Sequence, residues 1–232
     1  MKRDVKPLKR ITMANDSINR QVIDIKARAG VGDISNEVLR RWTDKGYEMA
    51  VKEGNYDRSR EHLNFEIVKG GRIVPVDKTR PLDVRMAELL AERGIRDPNI
   101  GRSNPNMRTA VKFVFGGSHE RMTELSFGNQ EVDFEDKCGN DHIQRMPEIE
   151  KWAQDIYNFV ARKFGEENII DFVVHLDETT AHAHCGIVPV NDKGRISYKD
   201  VFHGHTKPEY KQFISQLHDE LAEVNKKWGL AR

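Results

Sequence analysis

Between Ile169 and Val190 the chain reads IIDFVVHLDETTAHAHCGIVPV. The runs IIDFVVHL and HCGIVPV are apolar and of strand length, and only a short polar turn separates them. They read as two strands folded back on each other, which constrains the fold more than any other stretch. The same stretch concentrates chemistry, because His175, Asp177, Glu178, His182 and His184 fall within ten residues.

The remaining pattern supplies partners for this pair. Arg20 to Lys26 alternates apolar and polar residues like a half-buried strand, and AGVGD breaks it. Ser35 is expected to cap a helix running through Trp42, with Val38, Leu39 and Trp42 on one side. HLNFEIV, a KGGR turn and IVPV predict a hairpin. Pro81 to Arg93 carries Leu82, Met86, Leu89 and Leu90 at helical spacing, and Gly94 stops it. IRDPNIGRSNPNMR reads as a surface loop, TAVKFVFGGS as a strand and FGNQEVDFEDKCGNDH as an irregular excursion. Two long amphipathic helices follow. One runs from Pro147 to Phe164 with Ile149, Trp152, Ile156, Val160 and Phe164 on its apolar face. The other runs from Pro208 to Trp228 with Tyr210, Phe213, Leu217, Leu221 and Val224. Strands grouped around hairpins, with helices between them, predict an α+β layer rather than alternating βα units.

The 232 residues suffice for one domain with a sizeable core. Lys+Arg 38 against Asp+Glu 37 leaves the net charge near zero, so a polyanion partner draws no support from the total. Any basic surface must be local, as in the opening MKRDVKPLKR. Cys138 and Cys185 stand far apart and form no metal or redox pattern, which fits two thiols. With no apolar stretch of spanning length and no hydrophobic leader, the expected location is the cytoplasm, with no membrane partner.

His182 and His184 are two apart in a strand and therefore share a face. A tight turn through Asp177 to Ala181 returns the chain so that His175 lies beside them. Three imidazoles from adjacent strands can bind a divalent ion and leave positions open for a substrate oxygen. Carboxylates beside such imidazoles are the usual means of fixing their tautomers.

The segment His175 to His184, HLDETTAHAH, resembles the metal motif of the Mob/Pre (MobV) plasmid mobilisation relaxases, H-x-D-E-x-T-P-H-x-H. DRSREHLNFEIV, from Asp57 to Val68, is similar to that family's second signature, an acid followed by S-R-x-H-L-N-Y-x-L. Asp57, Ser59, Arg60, His62, Leu63 and Asn64 match it, with Phe65 for Tyr and Ile67 for Leu. VPVNDKGRISYKDVF also looks like the family's continuation after the metal strand. The resemblance implies an HUH-like relaxase fold, an antiparallel sheet flanked by helices, as a single nicking domain over residues 1–232 or the N-terminal part of a longer protein. It implies a divalent ion, Mn²⁺ or Mg²⁺, on His175, His182 and His184, with Glu178 orienting a ligand or lying near the ion. It further implies an origin-of-transfer DNA partner, a hairpin plus single strand, cut on one strand with the new 5′ end held covalently. Arg60 is then expected at a phosphate and Asn64 as a brace at the DNA-binding loop.

Two positions depart from the family. Ala181 replaces the usual Pro. The family's nucleophilic histidine, in H-N-x-R, has no counterpart, since the chain has no histidine before His62 and SNEV (Ser35 to Val38) matches only at Asn36 and Glu37. Tyrosine serves other HUH relaxases, so Tyr47 and Tyr56 are the candidate nucleophiles, Tyr47 first because it lies clear of the expected strand, with His62 as the fallback. A metal-dependent endonuclease using water and a non-catalytic origin-binding module are the competing readings.

Overall fold

The computed structural model describes residues 19–54, 56–135 and 138–232. The basic stretch at Met1 to Arg10 lies outside them. The strands are β1 (Gln21–Arg28), β2 (Phe65–Val68), β3 (Arg72–Val74), β4 (Ala110–Gly117), β5 (Ile169–His175) and β6 (His182–Ile187). They form one sheet in the order β1-β4-β6-β5-β2-β3, and every pairing is antiparallel. The helices are α1 (Gly32–Val38), α2 (Asp44–Lys52), α3 (Leu82–Glu92), α4 (His119–Phe127), α5 (Pro147–Phe164), α6 (Tyr198–Val201) and α7 (Lys207–Asn225).

Register decides which residues share a face. Phe172 lies opposite Cys185 and Val174 opposite Ala183, while Val173 lies opposite His184 and His175 opposite His182. Opposed residues of an antiparallel pair point the same way and successive residues alternate. The first set therefore faces one side, where Phe113, Phe115, Phe172 and Ala183 pack against Trp152, Ile156 and Val160 of α5 and Leu217 of α7. The histidines face the other side, where Val38 of α1 and Leu82, Met86 and Leu90 of α3 cover part of the sheet around Val173 of β5.

The two long helices form where the periodicity places them. α5 carries Pro at its start, Glu148 and Glu150 in its first turn and Arg162 and Lys163 in its last, each suited to the helix dipole. Thr206 caps α7 by accepting from the Glu209 N–H. A 3-10 turn, Lys226–Trp228, completes the segment. Phe213, Leu217 and Leu221 are buried, while Tyr210 and Val224 are half-buried. No disulfide joins exposed Cys138 to buried Cys185.

Three local readings need correction. Ser35 does not start a helix: it lies inside α1, and its hydroxyl accepts the Leu82 N–H at 2.9 Å, tying α1 to the first turn of α3. Trp42 follows that helix and packs edge-on against Tyr47 and Tyr56. His62 and Leu63 belong to a 3-10 turn, Arg58–Leu63, so the strand starts only at Phe65. α2, which contains Tyr47, and α4 went unread in the sequence.

Candidate metal centre

The β5–β6 turn places four ligand atoms, from His175, Glu178, His182 and His184, within 4.8 Å of one another. Backbone carbonyls fix two of the tautomers. His175 Nε2 is 2.8 Å from the Val38 carbonyl and His182 Nδ1 is 2.9 Å from the Thr180 carbonyl. A carbonyl only accepts, so each of these nitrogens carries the proton. That leaves lone pairs on His175 Nδ1 and His182 Nε2, and both face Glu178 Oε1, at 3.4 and 3.8 Å. His182 Nε2 is also 2.9 Å from His184 Nε2. Burial, with the nearby Arg40 charge, lowers the His175 pKa, and burial holds His184 well below its usual value, so both imidazoles are neutral. Lone pairs converging on a carboxylate repel one another unless a cation lies between them. Buried His175 Nδ1 also lacks any hydrogen-bond partner. The donor set fits a divalent ion.

The Asp57–Asn64 segment is the bracket under this turn. Asp57 N donates to the Asp177 carbonyl at 2.7 Å, and Asn64 Oδ1 accepts the Leu176 N–H at 2.7 Å. Arg60 is 1% exposed. Its Nε donates to Asp57 at 2.6 Å, its Nη1 to the Leu176 carbonyl at 2.6 Å and its Nη2 to the Glu178 carbonyl at 3.2 Å. The phosphate contact expected of Arg60 does not fit this geometry, because the guanidinium points inward and holds the β5–β6 turn. Asn64 is likewise buried and faces the turn rather than a DNA-binding surface. The second sequence signature thus has a physical meaning: it fixes Leu176 to Glu178.

The candidate nucleophiles occupy different settings. Tyr47 is 9% exposed, and its hydroxyl donates to Glu61 and lies 3.3 Å from the Arg40 carbonyl. Burial and the Glu61 carboxylate raise its pKa. Tyr56 makes a backbone bridge to Glu178, which places it against the β5–β6 turn. Burial, then the Glu178 charge, push its phenol up to about 12, with Arg40 pulling the other way. Tyr47, on α2, is tied to Glu61 of the 3-10 turn, whereas Tyr56 adjoins the cluster. His62 sits on the 3-10 turn with Nδ1 2.9 Å from the Ser59 carbonyl.

Arg40 was not anticipated. It is 3% exposed and forks onto Asp177, with Nε and Nη2 each 2.8 Å from a carboxylate oxygen. Nη2 also reaches Glu178 Oε1 at 2.6 Å, and Nη1 reaches the Glu37 carbonyl at 2.7 Å. Burial works to raise the Asp177 pKa, but Arg40 overcomes it and holds the carboxyl at about 2. The backbone of Arg40 is left-handed, φ 51°. It occupies the position after the α1 cap in a Schellman closure, with Arg41 N on the Asn36 carbonyl and Arg40 N on the Glu37 carbonyl. Glycine normally stands there, and a residue with a Cβ costs about 1–2 kcal/mol. No local sequence signal marks this residue, since its partners lie 137 and 138 positions away. His119, at the start of α4, also adjoins the site, with Nδ1 3.2 Å from Thr180 Oγ1.

The C-terminal part of the chain is similar in sequence to known proteins. The sequence model of the Mob_Pre family, described as plasmid recombination enzyme, matches residues 140–231. A type 1 plasmid recombination enzyme of Staphylococcus aureus is 37% identical over 81 residues, 34% of this chain and 19% of that protein. A plasmid recombination enzyme of Bacillus thuringiensis is 29% identical over 86 residues, 37% of this chain and 18% of that protein. Over residues 140–231 the chain is similar to the Mob/Pre family. The matched stretch spans under a fifth of those Mob/Pre relatives. Over the whole described fold, the MobM relaxase domain (MOBV; Mob_Pre), crystallised Mn-bound with plasmid pMV158 oriT DNA, superposes with a TM-score of 0.61. That match has 18% identity and covers 92% of this chain and 89% of that one. A second MobM crystal structure gives 0.60 at 18% identity, covering 92% and 90%. The chain thus has the α+β fold seen in the MobM relaxase domain. Among the described residues no helix is long and apolar enough to cross a membrane.

Proposed function

We propose that this chain is the metal-dependent relaxase of a plasmid or mobile element. In this reading it acts in the cytoplasm on an origin-of-transfer hairpin with its adjoining single strand. It nicks one strand and keeps the new 5′ end. The observation that carries this reading is the gathering of ligand atoms of His175, Glu178, His182 and His184 within 4.8 Å of one another, in a chain similar to the Mob/Pre family. The MobM domain, with the same fold, is Mn-bound and holds oriT DNA. His175, His182 and His184 would hold Mn²⁺ or Mg²⁺, which when bound would stabilise charge on the scissile phosphate as a Lewis acid. Glu178 would offer that site a further oxygen donor.

The chain's own groups do the rest. The Asp57–Asn64 bracket holds the turn rigid, so the ligands need not reorganise during reaction. The histidine face of the sheet continues onto β1 and β4, where Val22, Asp24 and Lys26 are exposed, and supports a path for single-stranded DNA. Tyr56 is the preferred nucleophile. Its Oη bonds to phosphorus as the bond to the 3′ oxygen breaks; the phenol gives up its proton and the 3′ oxygen takes one up. The raised phenol pKa is the one observation favouring hydrolysis by water instead.

The test is incubation with Mn²⁺ and single-stranded origin DNA from the parent replicon, followed by mapping of any covalent adduct. The expected adduct lies on Tyr56, and Tyr56→Phe abolishes it while Mn²⁺ binding persists. An adduct on Tyr47 or His62 would move the nucleophile, and cleavage without adduct would select the water-using endonuclease.

A further inference from the structure

Glu178 Oε1, the oxygen that faces His175 Nδ1 and His182 Nε2, is the same oxygen that Arg40 Nη2 holds at 2.6 Å. One carboxylate oxygen is therefore shared between a guanidinium and the place where an ion fits. Arg40 is locked in this position: it forks onto Asp177, donates to Glu37, and its Cζ lies 4.3 Å from the Tyr56 ring centre and 5.3 Å from that of Trp42. The left-handed backbone at Arg40 would be least strained as glycine. Strain of this kind persists where the side chain serves a purpose.

We infer that Arg40 is a positioning residue that restrains the metal centre, sharing Glu178 with the ion so that the ion keeps its charge for the phosphate. The inference rests on the relaxase reading above. With Arg40 present, Asp177, Glu178 and Arg40 sum to one negative charge. Without it the sum is two, Glu178 is released to the ion, and the ion is bound more tightly but is a weaker electrophile. A cation within a few ångströms of a ligand oxygen has an effect of at least tenfold, on the order of the Coulomb energy in a partly buried site. A merely structural role predicts the opposite, a loosened site with weaker binding.

The test is Mn²⁺ calorimetry at one pH on the wild type, Arg40→Gly, Asp177→Asn and the double variant, with folding checked by circular dichroism. Arg40→Gly relieves the backbone but leaves Asp177 buried and unpaired, so it can fail to fold. The step from Asp177→Asn to the double variant removes Arg40 without that penalty. The expected result is Mn²⁺ affinity raised about tenfold or more on removing Arg40 in either background, with slower adduct formation. Arg40→Lys, which keeps the charge but loses the fork, keeps affinity within about threefold and still slows the adduct. Affinity unchanged or weakened in folded variants overturns the inference and leaves the relaxase reading standing. Absence of Mn²⁺ binding by the wild type overturns both.

Discussion

The two faces of this sheet are made by alternate residues of the same strands, yet they are built on different principles. Toward α5 and α7, Phe113, Phe115, Phe172 and Cys185 are fully buried among apolar neighbours. Toward α1 and α3, the same strands present Glu66, Asp171, His175 and His184, all at most 5% exposed. Buried ion pairs accompany that second face: Arg85 with Glu66 and Arg40 with Asp177, with Arg60 and Asp57 below the turn. Burial of apolar area drives folding, whereas buried ion pairs roughly break even against their desolvation. The face toward α5 and α7, with the larger apolar cluster, therefore carries more of the stability, and the face toward α1 and α3, with a smaller one, also carries the buried charges and imidazoles.

The largest expected effect separates the faces outright. His182→Ala/His184→Ala removes two of three imidazoles and should abolish Mn²⁺ binding in calorimetry and, with it, the DNA adduct. The melting temperature of the metal-free protein should hold or rise, since buried imidazole is replaced by a small apolar group. Retained Mn²⁺ affinity would place the ion elsewhere.

The converse change lies one residue from the polar face. Phe172→Ala empties a fully buried site between β5 and the ring of Tyr157, which contacts it edge-on at 5.5 Å. It should cost about 3–5 kcal/mol in denaturant unfolding. Mn²⁺ affinity of the folded fraction should stay near wild type. A loss of affinity equal to the loss of stability would show that the two faces do not separate.

These contrasts explain what the sequence disclosed. The apolar face was legible because period-2 and helical spacing need no knowledge of distant partners: α5 is found with its expected bounds, Pro147 to Phe164. The histidines were legible because two share a strand and the third is returned by a short turn. The settings of Arg40 and Arg60 were not, because their partners Asp177 and Leu176 lie far along the chain. An arginine inside a family motif invites a phosphate, and only the fold shows that Arg60 bonds Asp57 and the Leu176 carbonyl. α4 escaped notice because HERMTELSF is short, and its buried residues Met122, Leu125 and Phe127 make a brief stripe. Ser35 misled because a cap residue and a buried hydroxyl bonded to Leu82 look alike in sequence.

The smallest expected effect probes the cost of the polar face at one atom. Asp171, on β5 beside Phe172, is buried opposite Gly186, where any Cβ would strike its carboxylate, and its Oδ1 has no hydrogen-bond partner. Burial pushes its pKa up to about 7; Glu66 adds to the rise, while Arg85 and Lys112 oppose it. Because the folded value lies above the unfolded 3.8, the folded state binds the extra proton between those limits. The stabilisation is complete below about pH 4 and is lost as pH rises toward about 7. The amide that Asp171→Asn introduces cannot ionise, so the variant's stability should match wild type near pH 4 and exceed it at pH 8 by about 1–3 kcal/mol. The check is urea unfolding of both proteins across that range, where the difference between them isolates this one carboxyl from every other titrating group. A difference that is flat with pH would mean that Asp171 is ionised and paired in the fold, and that the polar face is better compensated than its buried charges imply.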